Sequence, residues 1–229
     1  MYDLIIIGGK VVDGSGSPPR AADLAISNGL ISEIAEPGKL PVSDANVLNA
    51  AGAVVTPGFV DPHTHYDGQV TWDSILAPSS WHGVTTAVMG NCGVGFAPAK
   101  IDQRNRLIEL IEGVEDIPGS ALHEGMKWDW ETFPEYLDAL EKLPRTMDIA
   151  AQVPHGPLRL FVMDERGAAQ ETATQSDLEK MADIVRESIA AGAVAFSTNR
   201  MPLHTSVDGE PAPGTFADVA ELETLAHAV

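Results

Sequence analysis

The sequence has one cysteine, Cys92, in 229 residues, which excludes a disulfide within the chain. Basic residues are also scarce. Fourteen Lys and Arg against 33 Asp and Glu give a formal net charge of -19, so a nucleic-acid backbone or an anionic bilayer surface is repelled rather than attracted. The acids are spread along the chain, which fits a solvated surface rather than an acidic tail. No apolar run approaches the ~20 residues that cross a bilayer. The stretch Met1-Tyr2-Asp3-Leu4-Ile5-Ile6-Ile7-Gly8-Gly9 lacks the basic start and cleavage site of a signal peptide. These absences predict a soluble, cytoplasmic protein with no nucleic-acid or membrane partner. There is no internal repeat and no low-complexity tract. The hydrophobic content of 44% is enough to bury a core.

Residues 1–53 carry short β-rich runs, Leu4–Ile7, Lys10–Val12, Leu24–Ser27 and Leu30–Ile34. They are divided by Gly8-Gly9, Asp13-Gly14-Ser15-Gly16 and Ser27-Asn28-Gly29. Asn-Gly between such runs is a hairpin signal because both residues tolerate positive φ. This portion reads as a small antiparallel β-sandwich subdomain. From residue 54 to 229 the pattern changes to strands alternating with helices, the signature of an α/β fold built on a parallel sheet. The expected strands are Val54–His65, Thr85–Asn91, Met147–Val153 and Ala193–Thr198. Capping boxes are read at Thr132-Phe133-Pro134-Glu135 and Ser176-Asp177-Leu178-Glu179, the second opening a helix that runs to about Ala191 and stops at Gly192. A further helix is expected within Ala217–Val229. Four βα units fit this region, about half of an eight-unit barrel of ~250 residues.

Chemistry concentrates in Pro57-Gly58-Phe59-Val60-Asp61-Pro62-His63-Thr64-His65-Tyr66-Asp67-Gly68. Residues i and i+2 of a strand share a face, so His63 and His65 would present two imidazoles to one space. Neutral imidazole binds zinc at about 2.0–2.1 Å, and a catalytic zinc takes three protein ligands and leaves one position open. A bare His-x-His at a strand end is more often locally hydrogen bonded. Here Pro57-Gly58, Asp61 and Asp67-Gly68 surround it, and together this segment resembles the signature of the amidohydrolase superfamily.

Cys92 lies in Gly90-Asn91-Cys92-Gly93-Val94-Gly95, directly after the apolar run Val84–Met89. That is where a parallel strand meets its loop, on the rim that carries catalysis in barrels. A lone cysteine is usually a small buried hydrophobe, whereas beside a metal it is a thiolate. Asn-Cys-Gly after Gly-Val-Thr-Thr, with Asp-x-His-Thr-His before it, is similar to the D-aminoacylase branch, the N-acyl-D-amino-acid deacylases. The similarity continues through Trp128–Leu137, Ala151–Arg159 and Ala191–Thr198.

That resemblance implies a TIM-like (β/α)8 metallo-hydrolase, with residues 54–229 as the first half of its barrel. It implies one or two zinc ions held by His63, His65 and Cys92, the cysteine standing where many amidohydrolases use a carboxylated lysine. Asp61 would orient a ligand or its loop. The implied substrate is a small N-acyl amino acid, whose amide carbonyl the metal polarises while it activates water. The general base of the family follows the last barrel strand and is expected beyond Val229, so the catalytic residue itself is unassigned and the chain reads as part of a longer enzyme, inactive alone. His155 lines the substrate pocket or anchors the following loop, and Asn199, Arg200 and His204 are placed to meet an anionic substrate. The sequence departs from better-known deacylases after the fourth strand, which leaves substrate identity open. Pairing through an open half-barrel edge, or homo-oligomer formation, is a further expectation. The competing functions are a cyclic-amide hydrolase of the dihydroorotase or hydantoinase kind, against which Asn-Cys-Gly weighs, and a non-catalytic assembly protein, against which three retained ligands weigh. His82, His123 and His227 are assigned no role. Trp72, Trp81, Trp128 and Trp130 are read as packing residues, and Gly93-Val94-Gly95 is too short for a phosphate site.

Overall fold

The structure is a computed structural model that describes residues 2–42 and 45–229. The chain divides into two compact units at Gly58 and Phe59.

The first unit is one sheet built on β1 (Leu4–Val11), flanked by β2 (Arg20–Ser27), β3 (Leu30–Ala35), β4 (Asn46–Asn49) and β5 (Val54–Val55). β1, β2 and β3 pair antiparallel, and the β2–β3 hairpin turns through Asn28 and Gly29, both at positive φ. β4 and β5 both pair with β1 in parallel. The expected purely antiparallel pairing is therefore corrected: the sheet is mixed. β3 does not hand the chain to an adjacent strand; a connection carries it back to the far edge of β1, which β4 joins in the same direction as β1. Asp23 binds this unit internally, its carboxylate accepting the N–H groups of Gly8 at 2.9 Å and Gly38 at 2.6 Å.

The second unit is a curled parallel sheet in the order β6 (Phe59–Asp61), β7 (Val84–Met89), β8 (Asp148–Pro154), β9 (Ala195–Ser197). Four strands are half the complement of a (β/α)8 barrel. Between β7 and β8 lie α1 (Arg104–Glu115), α2 (Gly119–Gly125) and α3 (Phe133–Glu141). Between β8 and β9 lie α4 (His155–Met163), α5 (Glu165–Ala168) and α6 (Gln175–Ala191). α7 (Val219–Ala226) follows β9. The core combines Met89 and Val153 from the sheet with Phe96, Leu107, Phe133, Leu158 and Val185 from the covering segments, all at most 2% exposed.

Three sequence expectations change here. The run Val54–His65 is not one strand. It breaks at Pro57-Gly58: Val54–Val55 pairs with β1, and Phe59–Asp61 pairs with β7. The second piece ends before Pro62, which has no N–H to continue a ladder. The β6–β7 connection holds only single 3-10 turns, at Gln69–Thr71 and Ser79–His82, rather than an α-helix. Helix α6 starts earlier than Ser176, because Thr174 is its N-cap. The Thr174 hydroxyl accepts the Asp177 N–H at 3.3 Å, and the Asp177 carboxylate accepts the Thr174 N–H at 2.9 Å. The Thr132–Glu135 box and the Gly192 stop are as read. Trp130 is buried, but Trp81 is 73% exposed and packs in no core.

A buried ionic network closes the second unit. Glu221 of α7 accepts from Arg159 of α4 at 2.6 Å and from the His155 ring at 2.7 Å, with all three side chains about 1% exposed. Burial works against ionisation of Glu221, but the hydrogen bonds from His155 and Arg159 outweigh it and hold the carboxyl below its ordinary value of 4.5. Burial also holds His155 below 6.5, against the pull of Glu221, with the Arg159 and Arg200 cations adding to the depression. Both depressed values carry the same sign: the unfolded chain binds more protons, so their stabilisation is full above about pH 6.5 and is lost as pH falls. Asp67 and Glu115, whose carboxyls burial raises, act with the opposite sign, so the network's share is read as a difference: the gap in urea midpoint between the unaltered chain and His155→Phe with Glu221→Leu should be smaller at pH 4 than at pH 7. Arg159→Met should cost about 3–5 kcal/mol by leaving the buried Glu221 carboxylate without its guanidinium, and Arg159→Met with Glu221→Leu should recover part of that loss.

Candidate metal centre

His63 and His65 lie just beyond the end of β6 rather than within a strand, so the i, i+2 face argument does not apply as written. What holds them is an extension of the β6–β7 ladder: Thr64 gives both its N–H and its hydroxyl to the Val88 carbonyl, at 2.9 and 2.8 Å. With Thr64 turned down onto β7, its two neighbours are displayed away from it. Asp61 accepts the backbone N–H of His63 at 3.2 Å, so it braces the loop and touches neither ring.

Cys92 follows β7 on a tight turn, Asn91–Gly93, with φ of 56° at Cys92 itself. A non-glycine residue in this region costs on the order of 1–3 kcal/mol and persists where surroundings over-determine it. Asn91 supplies part of that constraint. Its amide donates to the carbonyls of Val88 at 2.9 Å and Thr64 at 3.3 Å, and its oxygen accepts from Gln152 at 2.8 Å.

These two turns bring His63, His65 and Cys92 together. One donor atom from each lies within 4.8 Å of the others, Cys92 Sγ is 3.2 Å from His63 Nε2, and the two imidazole centroids are 5.4 Å apart. Zinc bonds of about 2.3 Å to sulfur and 2.0–2.1 Å to nitrogen place two such ligands roughly 3.5 Å apart in a tetrahedron. His65 Nδ1 is buried without a hydrogen-bond partner. Two imidazoles and a thiol suit zinc, so the donor set fits a metal ion.

The surroundings are polar and under-compensated. Burial holds His65 down to about 4, helped by His63 and His204, so it is a neutral donor at physiological pH. Burial raises the Cys92 thiol, and Glu115 and Asp67 add to the effect; a bound cation would reverse this. Asp67 is fully buried with Oδ2 unpartnered, and burial pushes it up to about 7 despite the backbone N–H groups of Asp67 and Gly90. The Glu115 carboxylate approaches His65 Nε2 at 3.2 Å and is itself raised, by burial and then by Asp116.

Asn199 and His204 meet each other at 2.7 Å between Asn199 Nδ2 and His204 Nδ1, and His204 adds a small part of the electrostatic depression of His65. Arg200 is exposed and donates to the Ala217 carbonyl at 2.8 Å. His155 is not at a pocket surface: Nδ1 meets Thr198 Oγ1 at 2.8 Å and Nε2 meets Glu221. His82, His123 and His227 are exposed. Sequence reading missed Glu115 and the burial of Asp67. Nothing set Glu115 apart from the other acids of the chain, whereas Asp67, two residues past His65 and followed by Gly68, had a positional signal.

The amidohydrolase family pattern matches residues 46–228. The chain is 36% identical over 200 residues to the D-aminoacylase of Alcaligenes xylosoxydans xylosoxydans, covering 86% of this chain and 37% of that protein. Its fold superposes on the crystal structure of a D-aminoacylase with a TM-score of 0.77 at 30% identity, covering 100% of this chain and 43% of that one. It superposes on N-acyl-D-glutamate deacylase from Bordetella bronchiseptica, solved with zinc and a phosphonate inhibitor, with a TM-score of 0.74 at 32% identity, covering 99% and 42%. The chain thus spans about two fifths of the length of these relatives. No helix among the described residues is long and apolar enough to cross a membrane.

Titration by NMR should show one of the seven histidines, absent from the spectrum of His65→Asn, staying neutral down to about pH 4 in the metal-free chain.

Proposed function

The chain belongs to the amidohydrolase family, and on that premise we propose that it serves metal-dependent hydrolysis of linear amides, with N-acyl-D-amino acids as the substrate class. The observation that carries this reading is the convergence of His63, His65 and Cys92 on one small volume. Zinc is the proposed ion, supported by the chemistry of the donors and by the zinc in the similar N-acyl-D-glutamate deacylase structure. When bound, the ion supplies Lewis-acid polarisation of the amide carbonyl and brings water ionisation toward neutral pH.

The chain's own residues do the positioning. His63 and His65 offer lone pairs from a loop pinned by Thr64, and Cys92 offers a thiolate from the opposing turn. Arg200 is the proposed anchor for the substrate carboxylate, being an exposed guanidinium on the loop after β9, and Asn199 and His204, hydrogen bonded to each other on the same loop, are proposed to line the substrate beside it. His155 we assign to anchoring α7 rather than to substrate contact, since both of its ring nitrogens are engaged and its side chain is buried.

Zinc content after dialysis is the first check: Cys92→Ser should lose at least tenfold in affinity, and equal content in both proteins would remove Cys92 from the ligand set. Calorimetry of the zinc-loaded chain with N-acetyl-D-amino acids and their L enantiomers should favour the D series by at least tenfold. Equal binding of the two would overturn the proposed stereochemistry. Arg200→Gln should weaken the D series by about tenfold, the scale of one lost charge-assisted contact.

A further inference from the structure

The turn that presents Cys92 is gripped from a strand more than a hundred residues away. Gly90 (φ 80°), Cys92 (φ 56°) and Gly93 (φ 69°) all take the left-handed conformation, and only Cys92 among them carries a Cβ that resists it. One internal bond closes the turn, from the Val94 N–H to the Asn91 carbonyl at 3.1 Å, and the Asn91 side chain ties its leading arm to Thr64, Val88 and Gln152; neither reaches the Gly90 carbonyl or the Gly93 N–H that flank Cys92.

The trailing arm belongs to Ser197, the last residue of β9. A hydroxyl has one proton and two lone pairs. Ser197 Oγ donates to the Gly90 carbonyl and accepts the Gly93 N–H at 3.1 Å. The two bonds land on either side of Cys92. The fit is close, since a Cβ on Gly93 would lie 3.2 Å from Thr198 Cα and one on Gly90 would overlap the Gln152 carbonyl oxygen. The turn therefore lies flat on the ends of β8 and β9, and the Cys92 thiol is the group left to point at His63. The next hydroxyl, on Thr198, is spent on His155 instead.

We propose that Ser197 is a positioning residue for the metal centre: its single hydroxyl bridges Gly90 and Gly93 and fixes the left-handed turn in the conformation that aims Cys92 Sγ at His63. This role rests on the metal reading above. It acts through Cys92 and needs no contact between Ser197 and the ion. Threonine keeps the hydroxyl and valine replaces it at nearly the same shape, so the two substitutions separate the hydrogen bonds from packing.

The test is cobalt(II) titration of the 229-residue chain, reading the thiolate-to-cobalt charge-transfer absorption. Ser197→Val should bind cobalt at least tenfold more weakly and show a reduced band per bound ion. Ser197→Thr should retain both, and Thr198→Val should lower the unfolding midpoint without altering the band. A purely structural serine would change the midpoint alone, so a Ser197→Val protein with full affinity and a full band overturns the proposal. If the unaltered chain takes up no cobalt, the metal reading fails, and the Gly93 amide then reports on Ser197 by itself. That amide should exchange slowly in the unaltered chain and at least tenfold faster in Ser197→Val. Rapid Gly93 exchange in the unaltered chain overturns the proposal even where Ser197→Val does not fold.

Discussion

The two arms of the candidate metal centre meet at one acceptor, the carbonyl of Val88. It takes the N–H and hydroxyl of Thr64 from the histidine arm and the Asn91 amide from the cysteine arm. Everything at the site depends on this junction, because neither arm is itself part of a strand. The junction exists because β6 and β7 are parallel neighbours with Val60 opposite Thr86 and Asp61 opposite Ala87. In that register the chain past Asp61 runs alongside the last residues of β7. Parallel strands also require long returns, so successive carboxyl ends collect on one rim and bring loops that are distant in sequence into contact.

Two kinds of buried polarity occupy this unit and they behave oppositely. In the Arg159–Glu221–His155 group charge meets charge, with only Arg159 Nε left without a partner, and the group ties α4, α7 and the end of β9 together. Beneath the rim, Asp67 keeps one oxygen without a partner, His65 keeps one nitrogen, and Glu115 stands against a neutral ring. Unsatisfied groups of this kind are costly, and they cluster where a ligand completes them. A divalent ion would invert the local electrostatics, favouring the Cys92 thiolate and the ionised Asp67 and Glu115 together.

Much of this was legible in the sequence, for definite reasons. His63, His65 and Cys92 stood out because their chemistry is rare and their neighbours, Pro57-Gly58 and Asn91, are turn residues with positional meaning. The α/β alternation was legible from periodicity, and Thr132–Glu135 from capping chemistry. The split of Val54–His65 was obscured because its two halves share one apolar composition, and which partner each strand finds is a long-range matter that composition does not encode. The mixed sheet escaped because β4, only four residues long, was not among the runs read from the sequence, and its direction beside β1 is likewise a long-range matter. His155 shows the limit at a single residue, since its neighbours in sequence place it at a strand end while its role is decided by Glu221, 66 positions away. Ser197 lay within a stretch singled out for resemblance, but its two backbone partners are more than a hundred residues distant.

The solitary thiol gives the molecule an internal gauge. With one cysteine in the chain and that cysteine in the donor group, any reagent that consumes thiols reads a single atom with no background from other sulfhydryls. On the proposed ligation, occupancy by an ion and covalent capture of the thiol exclude one another. Counting modified against unmodified molecules by mass would therefore report the fraction of centres that were vacant at the moment of labelling, in a mixture and without a substrate. Oxidative damage has the same address: the first oxygen added at Cys92 alters the proposed sulfur donor.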